Sequence, residues 1–153
     1  MRQGTMSTSL RRNGFTLIEI LLSVALIAAM FAVTGPVLNS FYLWNELNVT
    51  ATETAQSLRR AQALARAGDH DSEWGVHVGA GQVVLFQGST YAGRVASYDE
   101  LFTYPTAILA GGLTDIAFSK NTGVPTVTGT VTFTSPQNQT KTISVNSVGT
   151  VSY

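Results

Sequence analysis

Asp69, His70, Asp71 and Glu73 place four titratable side chains within five consecutive positions, the densest such group in the chain. Carboxylates at alternate positions are what a calcium loop supplies. A loop of the EF-hand kind, however, needs glycine where Trp74 stands and a bidentate glutamate further on, and this run has neither. It reads as a solvated turn, and no metal is expected. His70 and His77 lack the third ligand or cysteine that would complete a zinc site, and His77 lies between valines in a strand-like run, packed rather than reactive. With no cysteine there is no thiol nucleophile and no disulfide; a glycine-rich phosphate loop and a G-x-S-x-G elbow are absent too. The chain is not expected to be an enzyme, and it offers no catalytic residue and no cofactor site.

Glu19 is the exception, because of where it lies. Phe15 to Val33 is an apolar run broken only by Thr16, Glu19 and Ser23. As a helix it covers about 28 Å, nearly the thickness of a bilayer core. A carboxylate inside such a helix costs a few kcal/mol and is retained where it has a partner in the membrane. Arg2, Arg11 and Arg12 precede the run and no acidic residue does, which predicts a single pass with the N-terminus cytoplasmic and the rest outside. Gly14 comes before the run rather than after it, so a cut there leaves the hydrophobic helix on the mature chain, unlike the cut of an ordinary signal peptide. Gly35-Pro36 closes the run while the helical pattern resumes beyond it, which predicts a kink at Pro36.

Leu43, Leu47, Ala51, Ala55, Leu58 and Ala65 recur at helical spacing, with Trp44, Glu46, Asn48, Glu53, Gln56 and Arg59 largely elsewhere. The helix therefore runs from about Phe15 to Ala67, apolar all round in its first half and one-sided in its second, and Gly68 ends it. Tyr42 and Trp44, near the change of character, suit either a membrane interface or packing between subunits. From Glu73 the period becomes two. Strands are predicted at 74–78, 83–87, 114–119, 129–134, 141–145 and 150–153, with Ser89 to Gly112 as a long, partly extended loop. The fold class is α+β: a long N-terminal helix, transmembrane then amphipathic, packed on an antiparallel sheet domain. The division is a leader at 1–14, an assembly half at 15–36, an amphipathic half at 37–68 and a β-rich domain at 69–153.

Gly14-Phe15-Thr16-Leu17-Ile18-Glu19 resembles the class III signal of type IV pilins and type II secretion pseudopilins. The resemblance implies that a prepilin peptidase cuts between Gly14 and Phe15 and that Phe15 is then N-methylated. It implies too that Glu19 serves filament assembly by neutralising the new terminal amine, and that Pro36 matches a proline common in the family. The implied partners are the prepilin peptidase, other pilin or pseudopilin subunits and an inner-membrane assembly platform. The implied location is the inner membrane, then a filament in the periplasm or on the cell surface. More weakly, the WGVHV, VVLFQG and KTISVNSVGTV segments resemble the globular domain of GspH/FimT-type minor pseudopilins. Members of that subfamily that bind DNA do so through arginines near the C-terminal end. Here residues 147–153 contain none, so DNA binding is not expected.

Charge agrees. Nine basic and nine acidic side chains balance, but three of the arginines are in the leader, so its removal leaves an acidic product without the basic excess of a nucleic-acid binder. The favoured reading is a structural subunit polymerised through its helix. The alternative is a membrane-anchored extracellular binding module, an adhesin or substrate receptor, on an uncleaved anchor.

Overall fold

The computed structural model describes residues 14–153, with side chains described at 14–32 and 41–153. All of the expected leader except Gly14 thus lies outside the described residues. One long helix, α1 (Leu17–Ala67), comes first, and its helical assignment continues unbroken through Gly35 and Pro36. Eight strands follow: β1 (Trp74–Gly79), β2 (Gln82–Gln87), β3 (Glu100–Thr103), β4 (Leu109–Gly112), β5 (Asp115–Phe118), β6 (Gly129–Thr134), β7 (Thr140–Val145) and β8 (Val151–Ser152). The chain divides into two compact units, Met1–Leu38 and Asn39–Tyr153.

In the first unit Thr16 caps the helix. The Glu19 N–H donates to Thr16 O at 3.1 Å and to Thr16 Oγ1 at 3.3 Å, which satisfies a donor that the first turn would leave unpaired. Glu19 also puts negative charge in that turn, where the helix dipole favours it. Leu17, Ile18, Ile20, Leu21, Leu22 and Val24 are all exposed, so the segment buries no apolar face of its own.

The second unit contains the amphipathic half of α1 and both sheets. Leu47, Ala51, Ala55, Leu58, Ala61 and Ala65 are buried, and with Leu43, also buried, they make the stripe read from the sequence with Ala61 added. Four of these six are alanines, so the helix backbone can lie close to its cover. The bulk that fills the core comes from the strands, chiefly Ile116, Phe118, Phe133 and Ile143. The helix ends where Gly68 takes a positive φ of 64°, and the Asn121 N–H donates to Ala65 O at 2.7 Å, occupying a carbonyl of the last turn.

The strands form two antiparallel four-stranded sheets rather than one, in the orders β3-β2-β1-β5 and β4-β6-β7-β8. In the first, Val76 stands opposite Leu85 on one side and Ile116 on the other, so valine, leucine and isoleucine share the face that joins the core. In the second, Val131, Phe133, Ile143 and Val145 are buried and Thr130, Thr132, Thr142 and Ser144 are not, the alternation the sequence shows.

Ser89 to Gly112 is corrected by the structure. It holds a short 3-10 turn at Ala96–Tyr98 and two edge strands, β3 and β4, which the sequence hid for a physical reason: neither buries an alternating face. All four residues of β4 are exposed, and in β3 only Phe102 is partly covered. The last strand is also shorter than the expected 150–153.

The outer face of the first sheet is covered as well. Tyr91, on the loop after β2, turns back to lie edge-on against Phe86 with ring centroids 5.7 Å apart, and it stacks on His77 at 3.8 Å. Phe86 crosses the strand above Gly75, where an added Cβ would meet the ring at 2.6 Å and the Ile116 carbonyl oxygen at 2.9 Å. Gly75→Ala should therefore destabilise the fold by about 1 to 3 kcal/mol, as overpacking does. A drop in the urea midpoint checks it; an unchanged midpoint would mean the sheet relaxes freely.

Candidate functional site

The residues singled out in the N-terminal segment are open to solvent. Among the described residues nothing lies within 4 Å of where a Gly14 side chain would begin, and Phe15 is 79% exposed, so on this side the Gly14-Phe15 peptide bond is accessible to a second protein. Glu19 sits one helical turn inside this end, exposed. Its backbone is fixed by Thr16, and its own carbonyl accepts from Ser23 Oγ at 2.7 Å. Around it Leu17, Ile18, Leu22, Met30 and Phe31 are each more than half exposed. An apolar surface on all sides of a helix is stable only against lipid or other apolar helices.

Among the described residues no helix is long and apolar enough to cross a membrane. The apolar side chains described on α1 run from Leu17 to Ala32, roughly 24 Å of helix, short of a hydrocarbon core of about 30 Å. The rest of the expected span, 33–36, lies where side chains are not described, and so does the side chain of Pro36.

The globular unit carries the other candidates. In the acidic turn, His70 Nδ1 lies 2.8 Å from Asp69 Oδ2, and Lys120 Nζ donates to Asp71 Oδ1 at 2.9 Å. The His70 ring packs on Tyr98 with centroids 4.5 Å apart. The turn is thus tied down by Lys120, which lies beyond β5 and is invisible to local sequence reading. Among the described residues no group of three His, Cys, Asp or Glu is placed to hold a metal ion. His77 is bonded to Asp115, Nδ1 to Oδ1 at 2.9 Å, because the register of β1 with β5 sets the two opposite each other. Above it Tyr91 is capped by the Arg94 guanidinium, 3.9 Å from the ring centroid. Arg94 pairs with Asp99 at 2.7 Å, and this bond holds its pKa above the ordinary arginine value. Asp115, His77, Tyr91, Arg94 and Asp99 make a continuous series of contacts, with Asp99 Oδ1 at its end buried and without a hydrogen-bond partner. That arrangement staples a loop to a sheet, and Tyr91 and Asp115 also line a cavity of about 490 Å³ with Ser89, Thr90 and Thr126.

On the second sheet's side of α1 two cations rest on aromatic rings. Lys141 Nζ lies 5.1 Å from the Trp44 ring centroid, and the Arg59 guanidinium lies 5.4 Å from that of Tyr153 while donating to Val151 O at 3.0 Å. Neither has a carboxylate partner among the described residues. Arg60, one residue on, pairs with Glu100 at 2.7 Å on the other side of the helix.

The helix residues whose side chains are described from Leu17 to Ala32 are exposed on every side, a surface suited to association with lipid or other apolar helices. Residues 9–35 match the family described as the prokaryotic N-terminal methylation motif. The match supports a type IV pilin-like or pseudopilin subunit, a structural class, and it spans the N-terminal segment alone. No curated protein and no solved structure matches the chain.

Proposed function

We propose that the chain is a minor pilin or pseudopilin, a structural subunit made as a precursor and polymerised through its N-terminal helix. Prepilin peptidase removes residues 1–14 and methylates Phe15. The segment 15–36 then lodges in the inner membrane, N-terminus cytoplasmic, with a bend at Pro36, until an assembly platform lifts it into a filament beside other subunits of its kind. The observation that carries this is the coincidence of the methylation motif at 9–35 with apolar side chains exposed on every side of the helix behind it. An uncleaved anchor would account for the second and leave the first unused. The GspH/FimT likeness of the globular unit belongs to the same proposal and is supported by its segments alone.

Terminal peptide mass spectrometry of the protein from its native membrane tests the reading. The expected terminus is methylated Phe15. An intact Met1 terminus as the dominant species would overturn it in favour of an anchored binding module.

A further inference from the structure

Beside Tyr91 the cover over the first sheet gives way to the cavity of about 490 Å³, bounded by the loop after β2 and the segment after β5. That volume is within the range of about 300 to 1,000 Å³ usual for small-molecule sites. Both walls are already tied down. On one side Tyr91 is held between His77 and Arg94. On the other the Thr126 N–H donates to Ala117 O at 2.8 Å, next to a bridge between Pro125 and Phe118. A ligand entering here has no loop to order, which removes a cost that a mobile site would add.

The lining mixes apolar surface with hydroxyls of both kinds. Phe86, Ala92, Ala117 and Val127 are apolar, and no lining residue is cationic. The Ser89 and Tyr91 hydroxyls have no partner among the described residues. Thr90 Oγ1 accepts from the Gly93 N–H at 3.2 Å and still has its own proton to donate. Thr126 Oγ1 donates to Ala117 O at 3.1 Å and keeps lone pairs to accept with. The Asp115 carboxylate, half exposed, is met by His77 at Oδ1 and by the Thr114 hydroxyl at Oδ2, so each oxygen can accept once more.

Three classes of ligand are ill matched to this lining. A phosphate or carboxylate would meet Asp115 with no cation to receive it, because Arg94 on the same loop is bonded to Asp99. An extended peptide needs a bare sheet edge, and Thr126 occupies that of β5 at Ala117. A wholly apolar molecule would strip water from Asp115 and replace none of its hydrogen bonds.

We propose that the groove binds a neutral pyranose unit of a glycan. Every sugar hydroxyl both donates and accepts, as this lining requires, and the C–H face of the ring offers apolar surface to Ala117 and Val127. The site does not depend on whether the chain is polymerised, so its failure leaves the subunit reading standing.

Saturation-transfer NMR tests it on full-length chain in a phosphocholine detergent, which carries no sugar of its own. The probes are the methyl glycosides of glucose, galactose, mannose and N-acetylglucosamine, the matching disaccharides, and spermidine as a cation. The expected result is saturation of the ring protons of at least one sugar and none of spermidine. A disaccharide binding more tightly than its monosaccharide identifies a glycan chain as the source, and equal binding a free sugar. Thr126→Val and Tyr91→Phe, which each delete one hydroxyl and keep the backbone bond or the ring stack, should weaken binding about fivefold. Asp115→Asn should weaken it at least tenfold, and Ser147→Ala, in the loop before β8, should not change it. No saturation of any sugar, wild-type binding by both Thr126→Val and Tyr91→Phe, or saturation of spermidine alone would each overturn the proposal.

Discussion

Leu58→Asp should unfold the globular unit's packing at its centre, lowering the stability of a fragment beginning at Asn39 by about 3 to 5 kcal/mol and its Tm by something on the order of 15 °C. Leu58 is fully buried among the small residues of the helix stripe and the aromatic and branched residues of both sheets. An aspartate there loses the apolar contact and brings a charge that no neighbour in the core can pair, whereas Leu58→Ala loses only contact and leaves a cavity, a cost of about 2 to 5 kcal/mol. A domain of this size is stable by only about 5 to 15 kcal/mol, so the aspartate variant should lose a large fraction of its stability. Thermal melts of the two variants beside wild type decide it. A melting point for Leu58→Asp within a few degrees of wild type would mean that the helix can rotate that position to water, and the packing described would be wrong.

Glu19→Gln should leave insertion and leader removal intact and reduce incorporation into filaments at least tenfold. The substitution keeps the shape of the side chain and its place in the first turn beneath Thr16. On the proposed reading, what it removes is the counter-charge for an ammonium freed at Phe15. An unpaired charge buried among apolar helices costs about 3 to 5 kcal/mol once its partner is gone, which is well over tenfold in any assembly step that buries it. Leader removal in membranes and subunit recovered in sheared filaments are measured side by side. Equal recovery would show that the carboxylate is not used for assembly, and loss of cleavage would assign it to the peptidase.

How much of this was legible in the sequence depended on whether a signal was local. The helix stripe was, since Leu43, Leu47, Ala51, Ala55, Leu58 and Ala65 repeat at helical spacing and all six are buried. So were β1, β2 and β5 to β8, whose ends moved by a residue or two, within the usual fraying of boundaries. Strands β3 and β4 were not, because an exposed four-residue edge strand has no buried face to impose alternation. Nor was the split into two sheets, which is a matter of which strand pairs with which. The partners of the polar residues were equally out of reach: His77 meets Asp115 through strand register, Asp71 meets Lys120 across 49 positions, and Trp44 receives Lys141 from β7. The N-terminal motif at 9–35 needed no structure at all, since a carboxylate in an apolar run is conspicuous in one dimension.

The clip between α1 and the C-terminal strand has a mechanical consequence. Along the covalent chain, the helix reaches β8 only after passing through Gly68, the first sheet and most of the second. Arg59 donating to Val151 O at 3.0 Å and Gln62 Nε2 donating to Gly123 O at 2.9 Å and to Val148 O at 3.3 Å bypass that path. Tension drawn along α1 therefore enters the second sheet directly, through hydrogen bonds and side chains sliding past one another, with no disulfide to carry it. Such a joint is loaded in shear, so its bonds resist together instead of parting one at a time. When it fails, nothing covalent has broken, and the strand can return to the same seat once the pull is released.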